Sequence, residues 1–87
     1  MLEDYLNQVV VVDLDSPYVC LGTLARADDR FLEMRDADLH DLRDTHTSRE
    51  NYVAACHATG IKRNRRKVLL ARGAVVAVAL LADVVDE

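Results

Sequence analysis

The run Val75-Val76-Ala77-Val78-Ala79-Leu80-Leu81-Ala82-Asp83-Val84-Val85 limits most strongly what this chain can fold into. Its valines favour extended backbone. A half-exposed antiparallel strand alternates apolar and polar residues, but this run is apolar on both faces and so predicts a strand from Val75 to Val85 that is covered on both sides. Left open at a sheet edge, such a strand templates aggregation. A chain of 87 residues forms one domain, spanning 1–87, with little surface to spare for covering it. A second copy of the chain is a natural cover.

The rest of the chain also reads as short strands. Gln8 to Leu14 holds four consecutive valines and is ended by the turn signal Asp15-Ser16-Pro17. Tyr18 to Ala27 predicts a second strand, in which Gly22 marks a sharp bend or a close approach of backbone. Asp28-Asp29-Arg30 predicts a tight turn, and Phe31 to about Ala37 a third strand reaching toward His40. Val68 to Ala71 predicts the fourth strand, with Gly73 separating it from the fifth. Two helices interrupt this pattern. Leu2 to Asn7 predicts a short one with Leu2, Tyr5 and Leu6 on one side. Ser48 to Ala58 predicts another: Thr47-Ser48-Arg49-Glu50 fits a capping box, Tyr52 and Cys56 stand four apart, and Gly60 fits a stop.

Hydrophobic residues make up 51% and charged residues 30% of the chain, the balance of a folded soluble protein. The net charge of −4 argues against a protein that coats nucleic acid without selectivity, though not against a local basic site. The acidic start Met1-Leu2-Glu3-Asp4-Tyr5 is unlike a secretory signal, and the uncharged run Gly73 to Ala82 is far shorter than the ~20 residues that cross a bilayer. The expected location is cytoplasmic. Cys20 and Cys56 make no CxxC and read as buried thiols of a reducing compartment, although the spacing alone leaves a disulfide open.

Five strands, a glycine in the second and two short motifs together resemble the Sm/LSm family. Gly22, Leu24 and Asp28 are similar to the family's first motif, with Phe31 in the large apolar position that follows. Leu70-Ala71-Arg72-Gly73-Ala74-Val75-Val76 is similar to the second motif, and Leu80-Leu81-Ala82-Asp83-Val84-Val85 to its tail. The resemblance covers nearly the whole chain and rests on the order and separation of the motifs. It implies an all-β fold, a small strongly bent five-stranded antiparallel barrel, with a short N-terminal helix and a helix inserted between strands 3 and 4. It also implies a homo-oligomeric ring in which strand 4 of one copy pairs with strand 5 of the next, with single-stranded RNA at the pore. The chain departs from the family at two places. An asparagine that holds a base in RNA-binding members is replaced by Leu32, and an aromatic two residues before it by Arg30, which can stack on a base through its guanidinium plane.

The candidate nucleic-acid residues are Arg30, Arg72, Gly73 and Asp28, with Arg63, Arg65 and Arg66 from a second region. Arg72 and Arg30 side by side offer a guanidinium pair to a phosphate or a base. A plainer reading makes Gly73 a strand bend and pairs Arg72 with Asp28 or Asp29. The run Lys62 to Lys67, five basic residues in six, reads as a phosphate-contacting patch, or as a solvated loop that neutralises Asp41, Asp44 and Glu50. His40, His46, Cys56 and His57 match no compact zinc spacing. No phosphate loop or nucleophile elbow is present, so no catalytic residue, metal or cofactor is expected. The expected function is a non-catalytic ring that binds single-stranded RNA. The rival is a structural or adaptor ring that binds a protein and no nucleic acid.

Overall fold

A computed structural model describes residues 1–44 and 46–85. It contains one five-stranded antiparallel sheet, β1 (Val9–Leu14), β2 (Tyr18–Ala27), β3 (Phe31–Asp41), β4 (Arg65–Ala71) and β5 (Val75–Leu80), and one α-helix, α1 (Arg49–Thr59), between β3 and β4. The strands lie side by side in the order β4-β3-β2-β1-β5, so β4 and β5 are the two open edges.

Two apolar cores lie on opposite faces of the sheet. On one face, Val10, Val12, Cys20, Leu24, Leu32, Met34, Ala37 and Leu70 pack together, with Leu2, Tyr5 and Leu6 of the N-terminal segment against them. That segment is a single 3-10 turn, Leu2–Tyr5, shorter than the helix predicted to Asn7. Asn7 ends it with a positive φ of 63°, and its N–H donates to the Leu24 carbonyl at 2.6 Å. On the other face, Val11, Val19 and Leu21 meet Val53 and Cys56 of α1, with Tyr52, Leu81 and Val84 alongside. Tyr52 and Cys56, four apart on the helix, thus pack it onto the sheet.

The helix begins one residue later than its motif suggests. Ser48, not Thr47, is the N-cap, and its Oγ accepts from the Asn51 N–H at 3.1 Å. Gly60 closes the helix at φ 94°, with its N–H donating to the Cys56 carbonyl. Leucine and β-branched side chains cannot take that φ without strain, so glycine suits the stop.

The close approach signalled by Gly22 is present. A Cβ placed there would lie 2.7 Å from Ala37 Cβ and 2.8 Å from Ala37 Cα. The β2–β3 pairing shifts register between Leu21 and Thr23, opposite Asp36, which has a positive φ of 48°.

Two strand boundaries differ from expectation. β4 begins at Arg65 rather than Val68, because Arg65 and Lys67 extend the ladder opposite Ala37 and Arg35. β5 ends at Leu80 rather than Val85 and gives way to a 3-10 turn, Leu81–Asp83. Beyond that point Leu81 and Val84 pack against the core under α1 rather than extend the strand, while Val85 is exposed. The two-sided apolarity is therefore partly satisfied within the chain, yet Val76 in β5 remains 68% exposed.

Candidate functional site

The β2–β3 turn and the β4–β5 connection meet at one end of the sheet. Asp28 organises the first: its Oδ1 accepts the N–H groups of Phe31 at 2.7 Å and Arg30 at 2.8 Å. Those two bonds, Phe31's the larger, hold the Asp28 carboxyl below the usual carboxylate range. The second loop is a 3-10 turn, Arg72–Ala74. The Arg72 N–H donates to the Arg30 carbonyl at 2.8 Å, and its guanidinium Nη1 donates to the Asp28 carbonyl at 2.5 Å. Arg30, Asp28, Arg72 and Gly73 are thus brought together at this corner.

The details correct the plainer reading of this corner. Arg72 bonds the backbone oxygen of Asp28 and not a carboxylate. Gly73 is not demanded by the turn, since a Cβ there meets nothing within 4 Å. Both guanidiniums are exposed, and neither is ion-paired to a carboxylate among the described residues. Leu32 is 1% exposed and sits in the core, so its position presents no polar group to a ligand.

Arg63, Arg65 and Arg66 lie elsewhere. Arg63 precedes β4 and Arg65 and Arg66 begin it, whereas Arg72 follows its end, about 20 Å away for seven residues of strand. Arg63 pairs with Asp36 at 2.6 Å, and Lys67 reaches Glu33 at 3.5 Å. The Arg65 guanidinium donates to the Asn64 carbonyl at 3.0 Å. Two of the acids expected to neutralise this run are occupied differently: Asp41 binds Arg43 at 2.8 Å, and Glu50 lies 3.5 Å from Arg49.

Two clusters went unseen in the sequence. Glu33 is 2% exposed on the outer face, between Arg26 at 2.9 Å, Arg35 at 3.1 Å and Lys67 at 3.5 Å. These cations, Arg26 first, offset the cost of burial and lower its pKa to about 2. The exposed side chains of Phe31 and Leu69 flank this cluster. Its members come from three strands, and the only local signal was a lone acid between Phe31 and Arg35 at strand spacing. The second cluster joins α1 to β3. Tyr52 Oη donates to the buried Asp38 carboxylate, and His40 stacks on the Tyr52 ring. Burial first, and then this hydrogen bond, raise the Tyr52 phenol pKa. The Nε2 of His40 is buried without a hydrogen-bond partner among the described residues. A cavity of 360 Å³ opens beside these groups, lined also by Cys56, Thr59 and Lys62.

Cys20 and Cys56 are both buried free thiols. Burial pushes Cys20 up to about 12, and Cys56 in the same direction. Among the described residues no group of three or more His, Cys, Asp or Glu side chains could hold a metal ion. No helix among them is long and apolar enough to cross a membrane.

Compared with known protein families and with curated proteins, the chain matches none.

Proposed function

We propose that this chain is an Sm-like protein that assembles into a closed ring by pairing β4 of one copy with β5 of the next, and that the ring binds single-stranded RNA at the corner carrying Arg30 and Arg72. The observation behind this reading is the Arg72-to-Arg30 backbone bond at 2.8 Å, which keeps two exposed guanidiniums at the same end of every copy. The strand order supports the assembly, since it leaves the outer edge of β4 and the outer edge of β5 unpaired. In a ring, one such pair per copy acts multivalently, so sites that are weak singly bind together. Arg63, Arg65 and Arg66 form a separate basic surface that would contact phosphates rather than bases.

The second reading is a ring that binds a protein and no nucleic acid. Buried Leu32 favours it, because the amide that holds a base in the family's RNA binders has no counterpart here.

Titration of labelled oligo-U, oligo-A and single-stranded DNA at two salt concentrations, with wild type and Arg72→Ala, separates the readings. The RNA ring is expected to bind with a steep salt slope, and Arg72→Ala to weaken it. Absence of binding at micromolar protein and low salt would overturn the RNA role in favour of the adaptor.

A further inference from the structure

The two open edges differ in charge along their length. β5, Val75 to Leu80, contains no charged residue, proline or glycine, and so lacks the devices that guard an exposed edge. β4 is divided: Arg65-Arg66-Lys67 form its first half and Val68-Leu69-Leu70-Ala71 its second. Beyond β5 the chain turns at Leu81–Asp83, and the Asp83 side chain is exposed with no ion pair among the described residues. The sequence continues with two further acids, Asp86 and Glu87.

These charges distinguish the two ways of joining the edges. Laid antiparallel, the apolar half of β4 meets the beginning of β5, and the basic half meets its end, where the acids begin. Laid parallel, three cations would lie along uncharged Val75-Val76-Ala77, desolvated without a counter-charge. The lengths suit full overlap, with seven residues in β4 and six in β5. Two cations are available at the right place. Lys67 is drawn to Glu33 and Arg63 to Asp36, but Arg65 and Arg66 meet no carboxylate among the described residues. Successive strand residues point to opposite faces, so one of this pair reaches an acid on either side of the joined sheet.

We propose that Asp83, just after β5 of one copy, seats on the Arg65–Arg66 pair at the start of β4 in the next copy, and that this ionic contact sets the antiparallel direction of the junction. The inference rests on the ring reading above. It also has a functional consequence: in the assembled ring, the neighbour's acids and an RNA phosphate compete for the same two arginines.

Charge exchange tests it, with sedimentation velocity over a concentration series at low and high salt. Circular dichroism checks that each variant is folded. The basic variant is Arg65→Glu with Arg66→Glu. The acidic variant is Asp83→Lys with Asp86→Lys and Glu87→Lys, so that no residual acid substitutes for another. Each variant alone is expected to weaken association about tenfold at low salt and less at high salt. Their combination is expected to recover most of the loss, because the charges are reversed and still opposite. If either variant assembles as tightly as wild type, or the combination is no tighter than the basic variant, the ionic seating is wrong while the ring stands. A wild type that stays monomeric at its highest soluble concentration overturns the ring, and this contact with it.

Discussion

The imidazole of His40 lies flat on the phenol ring of Tyr52, their centroids 3.9 Å apart and their planes 6° from parallel. The contact joins β3 to α1, and Tyr52 reinforces it by donating its hydroxyl proton to Asp38, a carboxylate 8% exposed. Tyr52→Phe keeps the ring and the stack but leaves that carboxylate without its phenol donor. Removing one partner of a buried hydrogen bond costs about 1–3 kcal/mol. Urea denaturation of Tyr52→Phe is expected to show a lower midpoint with unchanged slope. Tyr52→Ala, which also removes the stack, is expected to lose more. Equal midpoints for Tyr52→Phe and wild type would mean that the hydroxyl is not holding the helix.

Gly22 leaves no room for a side chain. Its added Cβ would meet the Ala37 backbone at 2.8 Å, and backbone cannot move aside as the end of a long side chain can. Gly22→Ala is expected to destabilise by about 1–3 kcal/mol, the usual range for overpacking. Gly73→Ala, with nothing near its Cβ, is the control, expected within about 0.5 kcal/mol of wild type. Thermal melts of the two variants side by side decide the point.

Acid should weaken the fold through two carboxylates. Glu33 is held at about 2 by Arg26 and its neighbours, and Asp41 at about 2 by the Arg43 side chain. Both lie below their unfolded values, so their contribution is full above those values, in the region of pH 4–5, and is lost as pH falls through about 2. Stability measured against pH should therefore drop steadily over that window. Glu33→Gln is expected to be less stable at neutral pH and to show a shallower drop. A slope identical to wild type would rule out Glu33 as a source of the acid sensitivity.

Both cysteines are expected to resist alkylation in the native state. The thiolate is the reactive form, and burial holds Cys20 at about 12 with Cys56 raised as well. Iodoacetamide at neutral pH, read by intact mass, should add nothing to the folded protein and two groups after denaturation. Rapid labelling of folded Cys56 would indicate that α1 lifts from the sheet.

Local patterns were legible where one rule decided them. β2 runs from Tyr18 to Ala27 as predicted, because turn residues bound it on both sides. β5 was read too long, since Leu81 and Val84 are apolar for the sake of the core under α1, and composition does not tell a strand from a turn serving another layer. β4 was read too short, because Arg65 to Lys67 looked like a loop; on an edge strand, charges on the open face are compatible with a ladder. The Glu33 and Tyr52–Asp38–His40 clusters were not legible, because each joins strands or helices whose pairing no short window of sequence contains.

The helix packs on one face of the sheet and the N-terminal turn on the other, over the buried centres of β1 and β2, and the unpaired strand edges lie at β4 and β5. These are two different surfaces, so any contact that joins them is head-to-tail, and each added copy presents the same free end as the last. Such growth has no built-in stopping point apart from geometry. If the rotation per copy divides a full circle the chain of subunits closes, and if it does not the product is a filament. In the proposed ring, a substitution that alters the tilt of β5 against β1 would change the form of the assembly, from closed to endless, without touching Arg30 or Arg72.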